Sequence, residues 1–194
     1  HASAVNEAAA TDVLTGTLSR RQFLLKLEQF AAERDGRPGY FIDIELNRFK
    51  QLNEAMGFKT GDKLIHDCVE RIKSLLPPDT LIGRLGACEF GIAIPDECAE
   101  PTLEIQLDQL VAEVCKPYLI DERRVVVTVS AGAVEFGTTH MEQVDMLKRA
   151  NLALHRSRSM GRKQWAMFEP ELGRVADHRR WIEAEMQVAI DRQD

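Results

Sequence analysis

The chain has no excess of basic charge. Its 194 residues carry 25 Lys and Arg against 31 Asp and Glu, a formal net charge of -6 and a pI near 5.5. That balance offers no electrostatic footprint to a nucleic-acid polymer, although a small phosphate-rich ligand remains compatible with it. No apolar run approaches the ~20 residues of a membrane span, and the N-terminus lacks the basic-then-apolar layout of a signal peptide. No membrane contact by this chain is therefore expected. The four cysteines, Cys68, Cys88, Cys98 and Cys115, form no Cys-x-x-Cys pair and have no histidine at zinc-ligand spacing. They read as reduced thiols, which suits a cytoplasmic location. Repeats and low-complexity tracts are also missing. What is present, 44% hydrophobic and 29% charged residues, suits one globular domain with a real core and a terminal extension.

Residues 1–11 are small and alanine-rich, and read as a tag remnant with the end of an incoming helix. Ser19 is a suitable N-cap, and Phe23, Leu24, Leu27 and Phe30 then recur at helical spacing to about Glu33. Tyr40 to Leu46 alternates aromatic and β-branched residues with acids, as a buried strand ending in a polar cluster. A helix is predicted from Lys63 to Leu75, with Asp62 as its N-cap, and a further amphipathic helix from Pro101 to Val114. Arg124 to Val134 is predicted as one strand, Val144 to Met160 as a helix and Lys163 to Phe168 as a short closing strand. Leu81 to Pro95 reads as two strands joined by a tight turn opened by Gly86, with Cys88 and Glu89 at the tip. A carboxylate there is either a solvated turn residue or a group aimed at a site.

Gly86-Ala87-Cys88-Glu89-Phe90 resembles the Gly-Gly-Asp/Glu-Glu-Phe signature of the GGDEF family, diguanylate cyclases that make cyclic di-GMP from two GTP. Two of the five positions, Ala87 and Cys88, depart from it. Three longer segments resemble the same family. Asp12 to Phe23 is similar to its opening Asp-x-Leu-Thr-Gly-Leu-x-Asn-Arg-Arg-x-Phe. Glu45 to Asp62 resembles Asp-x-Asp-x-Phe-Lys-x-Ile-Asn-Asp-x-x-Gly-His-x-x-Gly-Asp without a gap, and Ala150 to Arg162 resembles Ala-Asp-x-Ala-Leu-Tyr-x-Ala-Lys-x-x-Gly-Arg.

The resemblance implies an α/β (α+β) fold, a central mixed sheet wrapped by helices as in adenylyl cyclases and the polymerase palm, over residues 12–168. It implies that residues 169–194 are a linker helix leading to an EAL phosphodiesterase domain. Carried over position by position, Glu45 is a metal ligand, Cys88 stands where the second metal acid belongs, and Asn47 replaces another acid. Backbone groups at Phe49 and Lys50 hold phosphate, Asn53 and Asp62 read guanine, Arg158 and Arg162 bind phosphates, and Glu89 is a vestigial catalytic acid. Asn and Asp suit guanine because together they match its N1–H, exocyclic amine and carbonyl, which adenine cannot satisfy.

In the family two metals activate a 3'-hydroxyl for attack on an α-phosphate across a facing pair of subunits, so a homodimer is an implied partner arrangement. Mg2+ wants hard oxygen ligands, and a thiol at Cys88 is a poor replacement, so Mg2+ binding is expected to be weakened. Three readings follow: a silent domain that binds GTP and regulates an attached phosphodiesterase, a weakly active cyclase using Glu45 and Glu89, or a signal-transmission and dimerisation module that binds no nucleotide.

Overall fold

Strand β2, Gly39–Leu46, is the axis of the structure, a computed structural model that describes residues 10–34, 36–95, 102–138, 140–160, 164–176 and 179. It pairs antiparallel with β4, Glu89–Pro95, on one side and with β7, Val129–Phe136, on the other. Outside them lie β3, Leu81–Arg84, and β8, Trp165–Met167, and a two-residue β1, Leu18–Ser19, closes the edge in the order β1-β3-β4-β2-β7-β8. The β1–β3 and β7–β8 pairs are parallel and the rest antiparallel, so the sheet is mixed, as the family resemblance implies.

Because side chains alternate along a strand, β2 feeds two cores. Ile42, Ile44 and Leu46 lie on one face with Phe90, Ile92 and Ile94 of β4. They pack against α3, Phe58–Leu75, through Leu64, Ile65, Cys68, Val69 and Ile72, and against α4, Leu103–Val114. Full burial of each such aliphatic side chain contributes roughly 1.5–3 kcal/mol. On the other face Phe41, Val134 and Phe136 meet α1, Arg20–Ala32, through Phe23 and Leu27, and α5, Gln143–Ser159, through Met146 and Ala150. Helix α5 lies almost directly on β7. A Cβ at Gly132 would stand 2.0 Å from the Ala150 carbonyl oxygen and 2.2 Å from the Leu154 nitrogen. That contact sets where the end of α5 comes to rest over β2.

Helix α2, Phe49–Met56, follows β2 through a two-residue turn and is separated from α3 by Gly57, whose φ of 86° suits glycine. Helix α3 thus begins at Phe58, and Asp62 is an exposed residue within it rather than its N-cap. Ser19 does cap α1, its hydroxyl accepting the Gln22 N–H at 3.4 Å.

The stretch expected as one strand from Arg124 to Val134 is two. Arg123–Val125 is β6, paired in a separate two-stranded sheet with β5, Tyr118–Ile120, and only after a break does β7 begin. The hairpin turns on Asp121 and Glu122 at φ 48° and 64°. Of the region read as a linker helix, 170–176 is helical and most of the remainder lies outside the described residues.

Candidate active site

The C-terminal end of β2 gathers the acids. Glu45 lies directly across from Glu89, the first residue of β4, and across from Ser130 of β7. Glu89 is therefore a strand residue, and the turn of the signature hairpin is 85–88, closed by the Leu85 N–H donating to the Glu89 carbonyl at 2.8 Å. Like charges directly opposite on neighbouring strands repel. Arg158, in the last turn of α5, answers them with an ion pair to the Glu45 carboxylate. Both side chains are about one-third exposed, at 34% and 33%.

Two residues below Glu45, on the same face, lies Asp43, 2% exposed at the centre of the sheet. Its register neighbours are Gly91 and Gly132, so neither adjacent strand places a side chain directly opposite it. Burial, then the charges of Glu89 and Glu45 and a hydrogen bond with Glu89, push the Asp43 carboxyl up to about 8, against the opposing pull of Arg158. It carries its proton at neutral pH. One carboxyl oxygen, Oδ1, has no hydrogen-bond partner among the described residues.

Cys88 is half-buried, and burial followed by the charges of Glu45 and Glu89 pushes its thiol up to about 11. At the position where the resemblance implies a metal-binding acid there is thus a protonated sulfur. Asn47 is committed elsewhere: its amide donates to the Thr128 hydroxyl at 3.1 Å, and its carbonyl accepts from Ser130 at 3.0 Å. Among the described residues no group of three or more His, Cys, Asp or Glu side chains is arranged to hold a metal ion. Of the side chains gathered here, the Cys88 thiol is the one that is a poor donor for Mg2+, which favours hard oxygens.

The turn itself is braced from below. Arg84 donates to the Gly86 carbonyl at 3.1 Å, to the Ala87 carbonyl at 2.8 Å, and to both Asp12 carboxylate oxygens at 3.2 Å. Burial works to raise the Asp12 pKa, but two hydrogen bonds from Thr15 and the Arg84 guanidinium outweigh it and hold the carboxyl below its usual range. Ala87 is exposed and lies outside the positive-φ region, so its methyl meets no backbone strain there.

A groove of about 1110 Å3 opens over this end, and Arg48, Arg124 and Arg158 line it together with Glu45, Asn47 and Ser130. Arg48 adopts φ 56° and leads into α2 without any side-chain cap, leaving the first backbone N–H groups of the helix available to an anion. Those groups belong to Phe49, whose ring is in the core at 9% exposure, and to Lys50, whose ammonium lies in solvent 3.9 Å from Glu54.

Asn53 turns toward α3, its buried Oδ1 against Gly61 and without a hydrogen-bond partner among the described residues. Asp62 lines a different hollow of about 540 Å3, with Leu14, Lys63, His66 and Asp121. The structure therefore joins Glu45, Cys88, Glu89 and Arg158 at one place and sets Asp62 at another. Arg162 lies outside the described residues. Sequence reasoning passed over Asp43 and Arg84. An acid flanked by isoleucines in mid-strand was the available signal for the first.

The sequence profile described as "Diguanylate cyclase, GGDEF domain" matches residues 9–164. The chain belongs to the GGDEF family. Curated relatives of this GGDEF domain include the cyclic di-GMP phosphodiesterase NbdA of Pseudomonas aeruginosa, 29% identical over 98% of this chain and 24% of the relative. The bifunctional diguanylate cyclase/cyclic di-GMP phosphodiesterase MucR of the same organism is 27% identical over 96% of this chain and 27% of the relative. The chain thus spans about a quarter of their length. Among solved structures, the GGDEF domain of Caulobacter crescentus DgcB in complex with c-di-GMP superposes with a TM-score of 0.75 at 26% identity, covering 83% of this chain and 94% of that one. The GGDEF domain of TpbB from P. aeruginosa shares the fold, with a TM-score of 0.78 at 22% identity over 86% of this chain and 99% of that one. No helix among the described residues is long and apolar enough to cross a membrane.

Proposed function

We propose that this GGDEF domain is silent as a cyclase, binds GTP, and regulates an EAL phosphodiesterase domain attached beyond its C-terminal helix in a cytoplasmic cyclic di-GMP signalling protein. The observation that carries the silent half is the pairing of Glu45 with Arg158 beside a thiol at Cys88. A two-metal phosphoryl transfer needs carboxylates free to balance two divalent ions. Here one acid is replaced by a neutral soft donor and the other is already neutralised by an arginine. The phosphate-binding half rests on the uncapped start of α2 and the arginines above it, a combination that favours polyphosphate. Asp62, exposed in its hollow beside Leu14, is the residue assigned to guanine.

The test is a titration of GTP and ATP against the whole chain, followed by a product assay with Mg2+. GTP binding in preference to ATP, with no cyclic di-GMP at high protein concentration, is the expected pair of results. Steady product formation abolished by Glu89→Gln would establish the weak-cyclase reading instead. Absence of GTP binding at millimolar ligand would leave the domain as a signal-transmission and dimerisation module. The double change Ala87→Gly with Cys88→Asp restores the signature and is a direct probe of what the two departures cost.

A further inference from the structure

We infer that the Arg158 guanidinium takes the place of a metal cation at the Glu45 end of the groove, so that this domain binds nucleotide as the metal-free polyphosphate. The inference rests on the GTP-binding reading above and concerns how that same site receives its ligand. Arg158 is not a loose surface cation. Helix α5 is pressed onto β7 at Gly132, and the residue beside Arg158, Ser157, is buried with its hydroxyl donating to the Leu154 carbonyl at 2.8 Å. The end of the helix is thereby fixed, and from it Arg158 reaches the Glu45 carboxylate, one residue before the end of β2.

A guanidinium carries five N–H donors in a planar fork. One edge on Glu45 leaves others directed at the groove, where Arg48 and Arg124 also stand. The result is a carboxylate–guanidinium–phosphate sequence in which the cation is covalently tethered to the protein rather than drawn from solution. An incoming Mg2+ would have to displace that tethered cation from Glu45. It would then find Asn47 held by Thr128 and Ser130, the Cys88 carbonyl held by the Leu46 N–H at 3.0 Å, and a thiol instead of a carboxylate at Cys88, which leaves the Glu89 carboxylate across from Glu45 as a remaining hard donor. Mg2+ dehydrates reluctantly and gives up water only for well-placed hard donors, so the tethered guanidinium is favoured.

Calorimetric titration of GTP into the whole chain, once in excess Mg2+ and once in EDTA, tests this without any substitution. Affinity is expected to change by less than about threefold between the two, or to be higher in EDTA. Arg158→Gln is expected to weaken binding in EDTA by about tenfold to a hundredfold and to recover part of that loss when Mg2+ is added. The same variant, without nucleotide, is expected to take up Mn2+ that the parent leaves free, read as loss of the free-ion signal in electron paramagnetic resonance, because Glu45 is then released. A parent chain that binds GTP at least about tenfold tighter with Mg2+ overturns the inference while leaving GTP binding intact. So does an Arg158→Gln variant that titrates like the parent in EDTA. Absence of binding under both conditions overturns this inference and the GTP-binding reading together.

Discussion

The groove at the end of β2 and the hollow around Asp62 are both places where the family resemblance puts ligand contacts, yet they are built in opposite ways. In the groove the polar groups answer one another: Arg158 pairs with Glu45, and Asn47 spans Thr128 and Ser130. Around the hollow Asp62 is exposed on a helix surface, and the Lys63–Asp121 pair beside it lies in solvent. Partly buried charges that satisfy each other are structural as well as chemical, because removing one strands the rest. Exposed ones are bound by no such constraint. A change in the groove should therefore register in stability and pH dependence, and a change in the hollow in affinity alone.

The largest test of that contrast is Gly132→Val. The added carbons meet backbone atoms of α5, which cannot swing aside as a side chain can, so α5 must lift and carry Arg158 with it. We expect a loss of about 3 kcal/mol in urea denaturation, with weakened nucleotide binding in whatever remains folded. An unchanged unfolding midpoint would mean that the contact at Gly132 does not hold the helix.

Asp43→Asn comes next and works through pH. The folded chain keeps the Asp43 proton up to about 8, whereas the unfolded chain releases it near 3.8. Between those values the native state binds more protons, so stability falls as pH rises, by up to about 1.4 kcal/mol per pH unit, and is flat outside the window. Asn removes the slope and should make the protein more stable than its parent at the upper end of the window. Parallel slopes for parent and variant in urea titrations across that range would show that the proton sits elsewhere.

The smallest effect on the fold should come from Asp62→Ala. We expect stability within about 0.5 kcal/mol of the parent, but GTP binding weaker by about tenfold to a hundredfold and no longer preferred over ATP. Calorimetry with both nucleotides, beside a thermal melt, checks both halves. Equal loss of GTP and ATP would remove Asp62 from the role of base reader.

Helical and strand periodicity located β2, the core of α3 and the cap of α1 because each shows a run long enough for its period to stand out. It failed where a segment was short or a turn was chemically plain. The break between β6 and β7 falls in the β-branched run Val125-Val126-Val127-Thr128-Val129, and the turn before β6 is made by Asp121 and Glu122 without the glycine that marks such turns. The sequence puts the start of α3 five residues late, at Lys63 instead of Phe58, because Asp62 looks like a cap, whereas Gly57 is the residue that separates the two helices.

Residue type and local period along the chain, then, determined that β2 is a buried strand, and the resemblance of four segments to the family's motifs pointed to the family and to which side chains could bear chemistry. Partnership was decided by the tertiary structure. Arg158 lies 113 residues from Glu45, and Arg84 lies 72 from Asp12. Asp43 looks like an ordinary strand acid until Glu89 and a glycine on each side enclose it. A charge changes its meaning with the dielectric and the charges around it, and those are set by which strands the sheet brings together.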